Sequence, residues 1–257
     1  MLLHLGSLPA VWIPPGEIRD ERELHRTRMA LSKLRTALKN RIHSTLAKYA
    51  LGLDTDSDIF APKWRPTLAE AMHALPAETC RCMQQQLDML DHIQSQIALL
   101  EERIKQRVEL TRNIQLLKTL PGVANILAIV IERETARVDR FPSAAHFASY
   151  AGTVPTVNAS GGKTRYGRLR KCSNQYLKWA FIEAANVVVR QRGHPNWRGK
   201  HVTRLYDRVR QRKGHAVAVG AVARHLSEAA YWLLKKGKPY RDPALAEVSP
   251  RGGSARA

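Results

Sequence analysis

Acidic side chains are nearly missing from one part of this chain. Residues 151–241 hold 3 Asp and Glu against 20 Lys and Arg, whereas residues 1–150 hold 17 against 20. A segment so one-sided repels itself, and a polyanion relieves that repulsion because each neutralised phosphate releases condensed counterions. A solvated surface is the other reading, although solvated surfaces usually mix both signs. Cysteine is also scarce, with only Cys80, Cys82 and Cys172. That count argues against a disulfide scaffold or a zinc ribbon and for a reducing compartment, the cytoplasm. No run of 18 apolar residues occurs, so no membrane-spanning helix or membrane partner is expected. Met1 to Ile13 is apolar but broken by His4, Gly6 and Pro9. It lacks a basic leader and a cleavage site, so it does not read as a signal peptide. No internal repeat is present.

What is present reads as helix. The chain has 257 residues, 44% of them apolar, enough for one or two cores. Pro14-Pro15-Gly16 delays the first helix to Glu17. From there Leu24, Leu31, Leu34, Leu38, Ile42 and Leu46 recur at helical spacing, and the helix is expected to stop near Gly52. Asp54, Asp56 and Asp58 have the spacing of a calcium loop without its glycine or its closing glutamate, so they read as a solvated loop. Met83, Leu87, Leu90, Ile93, Ile97, Leu100, Ile104 and Val108 step by three and four, a heptad-like stripe. This helix pairs with the first as an antiparallel hairpin, or the same stripe joins two subunits. Leu120-Pro121-Gly122-Val123 precedes an apolar helix at Ile126–Ile131, a helix-hairpin-helix-like turn that can aim backbone N–H groups at phosphate, or else a plain turn. A short capped helix is expected at 139–150, and 151–170 reads as loop. Helices resume at 174–191, 197–212 and 216–234, and 242–257 is expected to be disordered. The fold class is mainly α.

The loop is the candidate site. Ser160 stands before Gly161 and Gly162, whose freedom lets a large anion approach closely, and Lys163, Arg165, Arg168, Arg170 and Lys171 surround it. Such cations stabilise charge developing in phosphoryl transfer. The hydroxyl is then either a nucleophile or a donor that contacts phosphate. A serine nucleophile needs a base, yet this half offers only Glu183, Asp207 and Glu228, and His194, His201 and His215 form no metal-ligand pattern. Arg190, Arg192, Arg204 and Arg208 extend the candidate DNA- or RNA-binding set, and Gly122, Gly161 and Gly162 are the turns placed near phosphate. No residue is assigned to a metal.

A longer series of motifs runs through the chain: Leu120-Pro121-Gly122-Val123, Phe141 with Ser143-Ala144, Tyr150-Ala151-Gly152-Thr153-Val154-Pro155, Ala159-Ser160-Gly161-Gly162-Lys163, Gly167, then Lys171 to Lys178, with Ala184-Ala185 following. Upstream stand Leu8 to Pro15 and Arg35 to His43. In order and spacing this series resembles the IS110 family of insertion-sequence transposases, relatives of the pilin-gene invertases, over roughly residues 2–240. The resemblance implies a two-part enzyme. An N-terminal RuvC-like domain holds Mg2+ on an acidic quartet, and a C-terminal domain carries a serine that forms a covalent phosphoserine with DNA. A structured bridge RNA supplies the sequence specificity. The family's serine falls on Ser160. Ser173, Lys178 and Ala124 depart from the usual glycine, arginine and glycine. The Leu-Pro-x-Val-Trp segment begins near Met1, so the resemblance implies that the acidic domain, and with it the Mg2+ site, is missing here.

The expected organisation is a remnant or linker at 1–16, a helical hairpin or coiled coil at 17–116, a C-terminal transposase domain at 117–241 and a tail at 242–257. The expected partners are DNA, the guide RNA and a second copy through helices 17–50 and 80–116. The expected function is DNA transposition with strand cleavage by Ser160 in the complete enzyme, and cofactors are expected only with the acidic domain. The alternatives are a non-catalytic DNA- or RNA-binding fragment that regulates transposition, and an RNA-binding protein of the ribosomal kind.

Overall fold

The computed structural model describes residues 12–55, 57–108 and 110–243. Residues 1–11, Asp56, Glu109 and the tail from 244 lie outside them, and with them most of the N-terminal remnant and the disordered tail read from the sequence. Among the described residues the elements are α1 (Gly16–Lys48), α2 (Arg65–Met72), α3 (Ala77–Arg107), α4 (Arg112–Leu117), α5 (Asn125–Thr135), α6 (Ala144–Tyr150), β1 (Pro155–Ser160), β2 (Lys163–Leu169), α7 (Gln175–Gln191), α8 (His201–Lys213) and α9 (His215–Lys236). The class is mainly α. The chain divides into two compact units, 20–109 and the remainder.

In the unit at 20–109, α1 and α3 run antiparallel. The pairs between them step in opposite directions along the two helices: Asp20 with Arg107 at 3.6 Å, Arg28 with Glu101 at 2.8 Å and Tyr49 with Thr79 at 3.2 Å. The predicted stripe on α3 is the buried one, from Met83 through Leu87, Leu90, Ile93 and Ile97 to Ile104. Its first half closes over Ile42, Leu46, Ile59, Phe60, Leu68 and Met72. Apolar area removed from water at about 25 cal/mol per Å² holds this end together. Two expectations are corrected here. On α1 the buried face runs through Arg22, His25, Met29, Ile42 and Leu46, while Leu34 is 54% exposed. The second helix ends at Arg107 rather than near 116, where Val108 turns to extended backbone, and α4 begins separately under a Thr111 cap.

The other unit is built on α5, α7 and α9. Alanines at 180, 184 and 185 on α7 and at 218, 223 and 230 on α9 are fully buried, so two helix backbones approach closely. Phe147 sits edge-on to Phe141 and Phe181, with centroids 5.1 and 6.2 Å away, and Tyr231 completes the cluster. Arg140 stacks among Trp12, Phe141 and Tyr150 at 4.1–4.5 Å, which fastens the tryptophan of the upstream motif to this body. Gly122 has φ +78°, and a β-carbon on it would lie 2.2 Å from the Ala184 carbonyl oxygen. The Pro-Gly turn is therefore pressed against α7.

The expectation of loop across 151–170 is overturned: most of it is the antiparallel pair β1–β2. Both faces of this hairpin are open to solvent, so its strands lack the apolar alternation by which a half-buried strand is recognised. The helix expected from 197 begins at His201, after a run of turns at 194–199.

Candidate nucleic-acid interface

The hairpin follows from its turn. Gly161 and Gly162 have φ +55° and +73°, both left-handed, which is the type I′ geometry of a two-residue hairpin loop. No atom lies within 4 Å of a β-carbon built on either, so the reason for glycine is backbone freedom and not space. Ser160 and Lys163 close the turn as a direct pair, followed by Ala159 with Thr164, Asn158 with Arg165 and Val157 with Tyr166. Beyond Tyr166 the second strand carries one extra residue before Leu169 meets Pro155. This bulge brings the Arg168 carbonyl to the Thr156 hydroxyl, which donates to it at 3.2 Å.

The base of the hairpin is tied to the helical body. The Arg170 N–H donates to the Val154 carbonyl at 3.2 Å, and the Leu169 side chain lies over Gly220 of α9. The Arg170 guanidinium reaches the Ser149 hydroxyl at 3.4 Å, and Lys178 donates to the Arg170 carbonyl at 3.0 Å. The Lys171 carbonyl accepts from Gln175 at 2.5 Å. Asn174 caps α7 by accepting from the N–H groups of Tyr176 and Leu177, both at 3.0 Å. Its amide donates to the buried Glu134 carboxylate at 2.8 Å and to Tyr150 at 3.3 Å.

The candidate residues thus fall into groups. Ser160, Lys163 and Arg165 share one hairpin face, Gly161 and Gly162 form its tip, and Arg168, Arg170 and Lys171 line its base. Arg190 and Arg192 end α7. Arg192 donates to the Val189 carbonyl at 2.9 Å and lies 5.8 Å from the Tyr206 ring of α8, where Arg204 and Arg208 follow. Arg204 is itself bonded to the Gly199 carbonyl. Gly122 stands apart, packed on α7. Asn158 and Tyr166, which share the hairpin, were not among the candidate residues read from the sequence. The Gly-Gly pair between two short polar runs was the signal that could have placed them on strands.

The histidines considered as bases are engaged elsewhere. His215 bonds Tyr206 at 2.8 Å, His194 accepts from the Asn196 N–H at 3.3 Å, and His201 faces His225 at 4.7 Å between ring centroids. Burial, and then the His201 imidazole, holds His225 below its ordinary value of 6.5. Burial and the neighbouring Asp242 raise Tyr240. Among the described residues no base is hydrogen-bonded to the Ser160 hydroxyl, and no three His, Cys, Asp or Glu come together to hold a metal. Among the described residues no acidic set fits the Mg2+ site that the resemblance implies, and no step below runs through one.

The fold and the site define a helical protein that presents a cationic hairpin tipped by a hydroxyl. Residues 114–201 match the sequence model described as "Transposase IS116/IS110/IS902 family". Within that segment, about a third of its length, the chain is similar to this family of transposases. It is 28% identical over 185 residues to a "Probable family 20 transposase" of Pseudomonas aeruginosa, a match covering 72% of this chain and 55% of the relative. It is 24% identical over 225 residues to the "Transposase for insertion sequence element IS1111A" of Coxiella burnetii, covering 88% and 61%. With an "Insertion element IS110 uncharacterized 43.6 kDa protein" of Streptomyces coelicolor the identity is 31% over 163 residues, covering 62% and 38%. The chain spans about half the length of the curated relatives it matches.

Proposed function

We propose that this chain handles DNA in insertion-sequence transposition and that Ser160 is its nucleophile. One observation carries the reading: a serine closes the tip of an acid-free cationic hairpin inside the family-matched segment. In the reaction the Ser160 Oγ attacks phosphorus. An Oγ–P bond forms, one P–O bond to deoxyribose breaks, the serine proton passes to a base and the leaving oxygen takes up a proton. Lys163 and Arg165, on the same face as Ser160, stabilise the charge that builds on the phosphoryl oxygens. A structured guide RNA is a second polyanionic partner in this reading. Assembly of two copies through α1 and α3 is supported by Leu34, Met89 and Leu99, which are exposed there.

A second reading, binding without cleavage, is favoured by the absence of a base on Ser160 among the described residues. The test is transfer of radiolabel from DNA to protein in Mg2+, with the N-terminal part of a longer relative added. A denaturant-resistant adduct that Ser160→Ala abolishes supports cleavage. Retention of DNA with no adduct under any metal condition supports the second reading.

A further inference from the structure

The hairpin has two chemically different faces, and the proposed cleavage uses one. Side-chain alternation puts Asn158, Ser160, Lys163 and Arg165 on one side, and Val157, Ala159, Thr164 and Tyr166 on the other. The second face carries no charge. Val157 and Tyr166 are direct partners on it, 52% and 67% exposed, although an aromatic ring beside a β-branched side chain is usually part of a core. Around them stand five cations between 163 and 171, and no carboxylate occurs from 151 to 182. Phosphates are met by cations and hydroxyls. A flat ring gains little from a phosphate and much from the π-face of a base. In a duplex those faces are covered by stacking, so a ring on a slender hairpin reaches them only where the strand is unpaired.

We propose that Tyr166 is a stacking platform for an unpaired base of a single-stranded nucleic acid, with Val157 as the floor beside it and Lys163, Arg165 and Arg168 neutralising the backbone. The proposal rests on the hairpin's being a polyanion contact and does not require Ser160 to be a nucleophile. The probes are oligo(dT), an abasic deoxyribose-phosphate oligomer of equal length and a duplex of equal length, each measured by fluorescence anisotropy with the full chain. Wild type binds oligo(dT) about 5- to 150-fold more tightly than the abasic oligomer, the range of one stacked base. Tyr166→Thr, which keeps a strand-forming side chain, closes that gap and leaves abasic binding and its salt dependence in place. Tyr166→Phe keeps the gap. An equal loss on both oligomers, no change on oligo(dT), or a Tyr166-dependent preference for the duplex overturns the proposal. Ser160→Ala retains the gap, so a failure of cleavage and a failure of stacking are seen separately.

Discussion

At the scale of single residues, glycine does two unlike jobs. Gly161 and Gly162 are glycine because the turn needs left-handed backbone in open space. Gly161→Asn, which tolerates that backbone, leaves the hairpin intact, while Gly161→Val destabilises it by about 1–3 kcal/mol. The loss of cross-strand amide contacts in nuclear magnetic resonance spectra checks this. Gly122 is glycine because a carbonyl of α7 lies where its β-carbon would go. Gly122→Ala adds overlap to backbone strain and lowers stability by about 2–4 kcal/mol, read from the denaturant midpoint. All three were legible in the sequence as turn glycines. The packing of Gly122 was not, because Ala184 is 62 residues away along the chain and only the fold brings it near. Ser160 was legible as a candidate for the opposite reason: its glycines and cations are its immediate neighbours in sequence.

Among elements, the helices followed their periodicity where one face is dry. The α3 stripe is buried as read from Met83 to Ile104 except at the half-buried Leu100, because a regular three-and-four spacing presents one face. On α1 charged residues fill most positions, and the leucine stripe did not identify which face the partner helix covers. The hairpin was unreadable by the same logic, since strands wet on both sides need no alternation and their register rests on the turn. Two predictions belong here. Asn174→Ala removes the cap of α7 and a donor to buried Glu134, and costs about 1–2 kcal/mol in thermal or denaturant unfolding. The second concerns the segment after α9, where Asp242 accepts from the His201 N–H that opens α8 and Tyr240 meets His225 of α9 at 3.4 Å. His225 is held below 6.5, so the unfolded chain takes up a proton that the folded one resists. Stability is greatest above pH 6.5 and declines as the pH falls from there toward the lowered folded value. Melting temperatures taken between about pH 8 and about pH 5 fall accordingly, and His225→Gln flattens the curve. Asp58 and Asp139, held below 3.8, act in the same direction only at lower pH.

For the whole molecule the governing quantities are charge and division into units. Nucleic-acid affinity should fall by about 10³–10⁵ between 50 and 200 mM salt if six to ten phosphates are contacted, and a flat salt dependence counts against either reading of the function. Residues 20–109 have an apolar cluster of their own and should remain helical and melt cooperatively when excised, as circular dichroism would show. The sequence by itself determined the helical class, the likeness to transposases and the concentration of positive charge, because periodicity, motif order and composition are properties of the chain written out in line. Only the tertiary structure decided that Ser160 tips a projecting hairpin, that Tyr166 stands on its uncharged face, and that the Pro-Gly turn is seated on α7. Those facts depend on strand pairing and close approach between residues far apart in the chain, and no local pattern encodes them.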